Sequence, residues 1–322
     1  MAVPTTAPES GKTAGETPLV IAAALTTVVL WASAFVGIRA AGEQLSPGPL
    51  TTGRLFIAAV VLGILVLIRR EPFPPRADWP RLIAFGVLWF GVYNLALNAA
   101  ERTIDAGTAA MIISITPILI AILAGFMLHE GFPRRLLVGL GIAFVGAVLI
   151  GLATANLGAA AGLGCALALV AVLAYAGGVI SQKPLLGRTS PLMLTWLACV
   201  IGLVVSLPFS PDLIAELGAA DLTGIGWMIY LGVFPTAIAF TTWGYALARS
   251  TAGRMSTVTY LAVPVALVMG WVILGETPPW LAVAGGALCL AGVAYSRSRG
   301  RAAAQKAETE APRLEHSAPA VK

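Results

Sequence analysis

Apolar residues in this chain come in long unbroken runs, without the alternating or three-and-four spacing of elements that keep one face in water. Ten such runs follow one another with short polar breaks: Pro18–Ala40, Pro49–Ile68, Arg81–Ala99, Ala106–Leu128, Leu136–Leu152, Gly162–Ser181, Pro191–Leu207, Leu222–Ala248, Met255–Leu274 and Pro279–Tyr295. A helix needs about 20 mostly apolar residues to cross the hydrocarbon core of a bilayer. Each run has that length, and none carries Asp or Glu deep inside it. The pattern predicts an all-α membrane protein of ten transmembrane helices. The polar ends, residues 1–17 and 297–322, are read as disordered tails, and the first lacks the basic start and cleavage site of a signal peptide.

Charge gives the direction of the spans. With the N-terminus in the cytoplasm, the inside segments hold Arg69, Arg70, Arg76, Arg81, Arg134, Arg135, Lys183, Arg188, Arg249, Arg254 and the basic residues of the last tail, whereas the outside segments hold only Arg39 and Arg102. Positive charge collects on the cytoplasmic side of membrane proteins, so both termini are expected there, in a bacterial inner (plasma) membrane. The same bias explains the net charge of +5 without a nucleic-acid partner. Only 11% of the 322 residues are charged and 58% are hydrophobic, which excludes an ordinary water-soluble domain. His129 and His316 both lie outside the runs, and Cys165, Cys199 and Cys289 stand singly within them. The spans thus lack the constellations of metal, haem or nucleophilic chemistry. Neither an enzyme, a cofactor nor a metal is expected.

The chain also repeats itself. Trp31–Arg39 meets Tyr175–Lys183 at a shift of 144, which also sets Ser46-Pro47 on Ser190-Pro191. A shift of 147 sets Arg102 on Arg249 and Pro117 on Pro264, and a shift of 146 sets Glu130-x-x-Pro133 on Glu276-x-x-Pro279. Five spans per half is an odd number, so the second half must run the opposite way. The expectation is two inverted five-helix repeats, residues 18–153 and 159–296, with a site near the midplane between them.

Trp31-Ala-Ser-Ala-Phe with Arg39, Ser46-Pro47 with Arg54, the Pro117 and Pro264 helices and the two Glu-x-x-Pro-x(5)-Gly segments resemble the ten-helix exporters of the drug/metabolite transporter superfamily that carry two EamA-like domains. The resemblance implies a secondary transporter of small organic solutes, moving amino acids or related metabolites outward by alternating access. It also implies that a cationic drug is a poor first substrate, because the small multidrug members depend on an intramembrane Glu that is absent here. The alternatives are a membrane-embedded small-ligand sensor and a multidrug efflux protein.

Several residues could carry such a function. Arg54 is the basic residue within a span, and buried charge is costly enough that it marks function by default. Its structural alternative is a side chain that snorkels outward. Asn94 and Asn98 share a helix face, and at a shift of 147 they pair with Thr241 and Tyr245. With Trp31 and Tyr175 these make a candidate substrate-binding set, to which Tyr93 and Tyr260 are added; helix-to-helix packing is the alternative. Pro117 and Pro264 leave the carbonyls of Ile113 and Tyr260 without an N–H and predict kinks. Glu130 and Glu276 stand at span boundaries as caps or gates. Glycines 139, 141, 146, 285, 286 and 292 favour close packing of spans five and ten, a scaffold or homodimer surface. The partners expected are a small-molecule substrate and the lipid bilayer.

Overall fold

The structure is a computed structural model. It describes residues 18–120, 159–249, 259, most of 261–295 and scattered positions between 123 and 152. Tyr260, Glu130, both tails and most of the fifth run lie outside the described residues, as does the side chain of Pro264. Every regular element among the described residues is helical: α1 (Pro18–Ala41), α2 (Pro47–Arg69), α3 (Trp79–Phe85), α4 (Tyr93–Ala100), α5 (Ala106–Ile113), α6 (Ala159–Gln182), α7 (Pro191–Ser206), α8 (Ser210–Ala219), α9 (Leu222–Leu231), α10 (Ala239–Arg249) and α11 (Ala262–Met269).

Among the described residues, six continuous helices are long and apolar enough to cross a membrane: Pro18–Ala41, Pro47–Arg69, Arg76–Ala100, Ala159–Gly187, Pro191–Ala219 and Leu222–Arg249. Three shorter apolar helices accompany them, including Ala106–Ile120 and Val265–Leu274. The chain is a multi-pass membrane protein. The seventh run proves longer than its apolar stretch. A 3₁₀ turn, Leu207–Phe209, carries α7 on into α8. Pro208 and Pro211 sit in first-turn positions, where the missing N–H costs no bond. α8 is amphipathic, with Leu213 and Leu217 packed inward and Ile214 exposed.

Two of the long helices contain a feature that apolar patterning does not reveal. α3 passes into α4 through a π-helical segment, Gly86–Val92, and α9 passes into α10 through another, Gly232–Ile238. Such wide turns frequently mark functional sites. The first is gripped by glycines. A Cβ on Gly178 of α6 would lie 2.7 Å from the Trp89 side chain, and one on Gly202 of α7 would lie 2.9 Å from the Phe90 carbonyl carbon. Gly286 likewise admits Met111 of α5.

Helix starts are set by short polar side chains. Asp105, Ser190 and Asp221 each accept a backbone N–H of the turn they precede, at α5, α7 and α9. The buried side chains divide into two clusters along the helix axes. One gathers Ile38, Leu50, Leu97, Ala100, Ile104 and Leu231; the other gathers Ala24, Leu62, Phe85, Trp89, Leu194 and Phe240. Tyr93 and Tyr175 pack against both.

Candidate functional site

A cavity of about 80 Å³ lies where the two clusters part. Its aromatic wall is Trp31 and Phe35 of α1, Trp89 of the first π segment, Tyr93 of α4, Tyr175 of α6 and Phe240 of α10. Its polar groups are Arg54, Asn94, Ser114 and Thr259. Pro117 and Pro235 complete two of its corners.

The rings hold one another. Trp31 stands 5.1 Å from Trp243, 5.2 Å from Phe240, 6.2 Å from Trp89 and 6.4 Å from Tyr175, centroid to centroid. Trp89 stacks on Tyr175 at 4.5 Å. Pairs of this kind each add about 1 kcal/mol beyond the area they bury. A space this small takes a few waters, whereas drug-sized ligands occupy roughly 300–1,000 Å³. An organic solute therefore enters only if these rings separate.

Arg54 is 4% exposed. α2 packs against the second π segment, so the guanidinium meets Thr236, donating to Oγ1 from Nη2 at 3.0 Å and from Nε at 3.3 Å. The Thr236 hydroxyl in turn donates to the Leu231 carbonyl at 2.7 Å, which Pro235 cannot serve in the α register. No carboxylate lies within ion-pair distance of Arg54 among the described residues. It does not snorkel.

Pro117 behaves as its chemistry requires. The helix is interrupted at Ser114–Ile115 and resumes at residue 116. The Ile113 carbonyl that the proline leaves open accepts from Thr116 Oγ1 at 2.7 Å. Asn94 spends its amide hydrogens on the Trp89 and Phe90 carbonyls, at 3.1 and 3.0 Å. Its carbonyl oxygen is what it offers the cavity.

Trp31, Arg54, Tyr93, Asn94, Tyr175 and Pro117 thus come together, as their residue types suggested. Asn98, Thr241 and Tyr245 are not in the wall. Asn98 lies one turn along α4 and donates to Thr51 Oγ1 at 2.8 Å. Thr241 returns its hydroxyl to the Ala237 carbonyl. The Tyr245 ring is covered by Arg249, with the guanidinium carbon 3.8 Å from its centroid. For Thr241 and Tyr245 the cause is register. A shift of 146, not 147, pairs Trp89 and Asn94 with Pro235 and Phe240 and superposes the two π segments. One residue turns a helix position by about 100°, enough to move it off the wall. Pro235 was detectable by the rule that found Pro117, and Trp89 by its i, i+4 spacing from Tyr93. Phe240 lacked such a signal.

At one end of the bundle, α1 closes on a second polar group. Arg39 Nε meets Glu276 Oε1 at 2.6 Å, and Arg39 Nη1 donates to the Glu101 carbonyl at 2.8 Å. Glu276 Oε2 also accepts the Ala106 N–H at 3.3 Å. Glu276 therefore caps α5, not the helix that follows it in sequence. It fastens the chain's last third to both α1 and α5. At the opposite end of the continuous helix Arg76–Ala100, Arg188 reaches Asp78 at 3.3 Å.

The sequence profile of the EamA-like transporter family matches residues 18–152 and, separately, 162–297. A probable terminal-alkyne amino-acid exporter of Streptantibioticus cattleyicolor is 36% identical, over 83% of this chain and 89% of that relative. An uncharacterized transporter of Archaeoglobus fulgidus is 35% identical, over 83% of this chain and 94% of its own length. A probable amino-acid metabolite efflux pump of Salmonella typhimurium is 26% identical, over 84% and 92%. A solved crystal structure shares the fold with a TM-score of 0.61 at 17% identity, covering 89% of this chain and all of the other.

Proposed function

The chain belongs to the EamA-like transporter family, a family of small-solute transporters, and from that premise we propose that it exports amino acids or closely related carboxylates bearing an apolar or aromatic side chain, by alternating access through the Trp31–Arg54 cavity. The observation that carries this reading is Arg54, a buried guanidinium in the cavity wall with a hydroxyl, but no carboxylate among the described residues, within bonding distance. Unbalanced charge in a dry site is costly, and a carboxylate is its best-matched ligand. The aromatic rings suit the apolar part of such a solute, and Asn94 leaves an acceptor for an ammonium group. No Asp or Glu lines the cavity among the described residues, which disfavours the multidrug-cation reading.

The architecture that goes with this function is ten spans in two inverted repeats, residues 18–153 and 159–296, with both termini cytoplasmic in a bacterial inner membrane. The double match of the family profile and the common register of the two π segments support it. The decisive experiment is solute counterflow in proteoliposomes, comparing amino acids having aromatic or long aliphatic side chains with their carboxamides. Acids should exchange and amides should not. Equal exchange of both would overturn the role of Arg54, and no flux of any zwitterion would favour a ligand sensor.

A further inference from the structure

Glu101 is the C-cap of α4 and lies just beyond the span Arg76–Ala100. Its side chain is 2% exposed, and neither Oε1 nor Oε2 meets a hydrogen-bond donor among the described residues. Three features of the site oppose an anion there. Burial without donors removes the solvation a carboxylate needs. A helix C-terminus presents the negative end of its dipole. The carboxylates of Glu276 and Asp105 lie near enough to interact.

The remaining surroundings are specified by the elements that pack here. α1 supplies Arg39, already engaged by Glu276 and by the Glu101 backbone carbonyl. α2 supplies Arg54. α6, which packs along α4, carries Cys165 and Tyr175 as its titratable side chains and meets this turn through Gly164 beside Thr103 and Ala100. Burial first, and Glu276 next, push the Glu101 carboxyl well above the usual carboxylate range; Arg39 and Arg54 pull the other way without cancelling this.

We propose that the Glu101 carboxyl is a proton-binding site of the transport cycle, filled while the Arg39–Glu276 end is closed and emptied when that end opens. Opening brings water to the carboxyl, which releases its proton to the solvent on that side. The Arg39 guanidinium, freed from Glu276, then faces a carboxylate on Glu101. Closing takes up one proton from the same water and returns Arg39 to Glu276. Acid therefore favours the closed end and alkali the open one. The transport cycle in this statement rests on the exporter reading above, but the proton linkage is measurable without any solute.

The test is hydrogen exchange of the full-length protein in lipid nanodiscs, followed at backbone amides of residues 97–108 and corrected for the intrinsic pH dependence of exchange. Wild-type opening should rise with pH, by up to about tenfold per pH unit for one linked proton. Glu101→Gln, a neutral isostere, should hold the segment protected and flatten the dependence, whereas Glu101→Asp should retain it. A second readout on the wild-type protein is the infrared C=O stretch of a protonated carboxyl, present at neutral pH and missing from Glu101→Gln. If Glu101→Gln opens with the same pH dependence as wild type, or the carboxyl band at neutral pH is unchanged by the substitution, the proton site is refuted. Absent solute flux with intact pH-linked opening would instead refute the exporter reading alone.

Discussion

Arg39 and Arg54 are two arginines on successive helices with opposite circumstances. Arg39 is partly exposed, at 35% of its side chain, and holds a carboxylate at 2.6 Å. Arg54 is buried and, among the described residues, holds only the hydroxyl of Thr236. A balanced charge at the edge of a bundle can fasten segments together. An unbalanced charge in the middle is left with binding capacity unspent. The difference separates a latch from a ligand site more clearly than residue type, which is the same in both.

The strongest way to break this comparison is Arg54→Gln. If the guanidinium binds the solute carboxylate, losing a charge-assisted bond of about 2–3 kcal/mol should lower kcat/KM by roughly 30- to 150-fold. Arg54→Lys should recover only part, because a lysine lacks the planar fork. Wild-type flux from Arg54→Gln at equal reconstitution would remove the distinction. Thr236→Val comes next. It takes the acceptor from Arg54 and the donor from the Leu231 carbonyl, and should destabilise by about 1–3 kcal/mol in a denaturation series while raising KM.

Glu276→Gln probes the other arginine. Both partners are partly exposed, so the pair contributes only about 1 kcal/mol or less. The expected effect is a several-fold faster exchange of the α5 N-terminus, with a Tm close to wild type. A large fall in Tm would mean that the pair is a structural brace. The smallest effect belongs to Asp221, the exposed N-cap of α9. The Gly224 N–H foremost, with the Gln44 amide, holds its carboxyl below the usual range. Stability from a depressed carboxyl is present at neutral pH and is lost as pH falls through its folded-state value. Asp221→Asn should therefore differ from wild type slightly at neutral pH and converge with it in strong acid, measured by thermal unfolding.

Much of the helical framework was legible in the sequence, because span length and apolar runs follow from the solvent. α1, α2 and α6 begin and end within a few residues of the predicted runs. α7 does so too, but its continuation into α8 was not foreseen, since that rests on amphipathic packing of Leu213 and Leu217 and not on hydropathy. Six candidate residues meet in the cavity because an intramembrane Arg, Asn or aromatic residue has few inexpensive alternatives. Thr241 and Tyr245 did not, because one residue of error in repeat register rotates a helix face. The π segments were invisible for a related reason: a wide turn changes which carbonyls need partners, not which residues are apolar. Only Pro235, Thr236 and Asn94 betray it, and only once their bonds are seen.

The ring cluster around Trp31 also has an electrical consequence. An energised membrane stores work as a voltage and an ion gradient, and any continuous thread of water through a protein would discharge both. In this structure the Trp31 indole N–H lies buried without an acceptor among the described residues, in contact with four other rings. Rings packed this closely leave room for isolated waters but not for a continuous thread, which is what a membrane holding a voltage requires of a protein at rest.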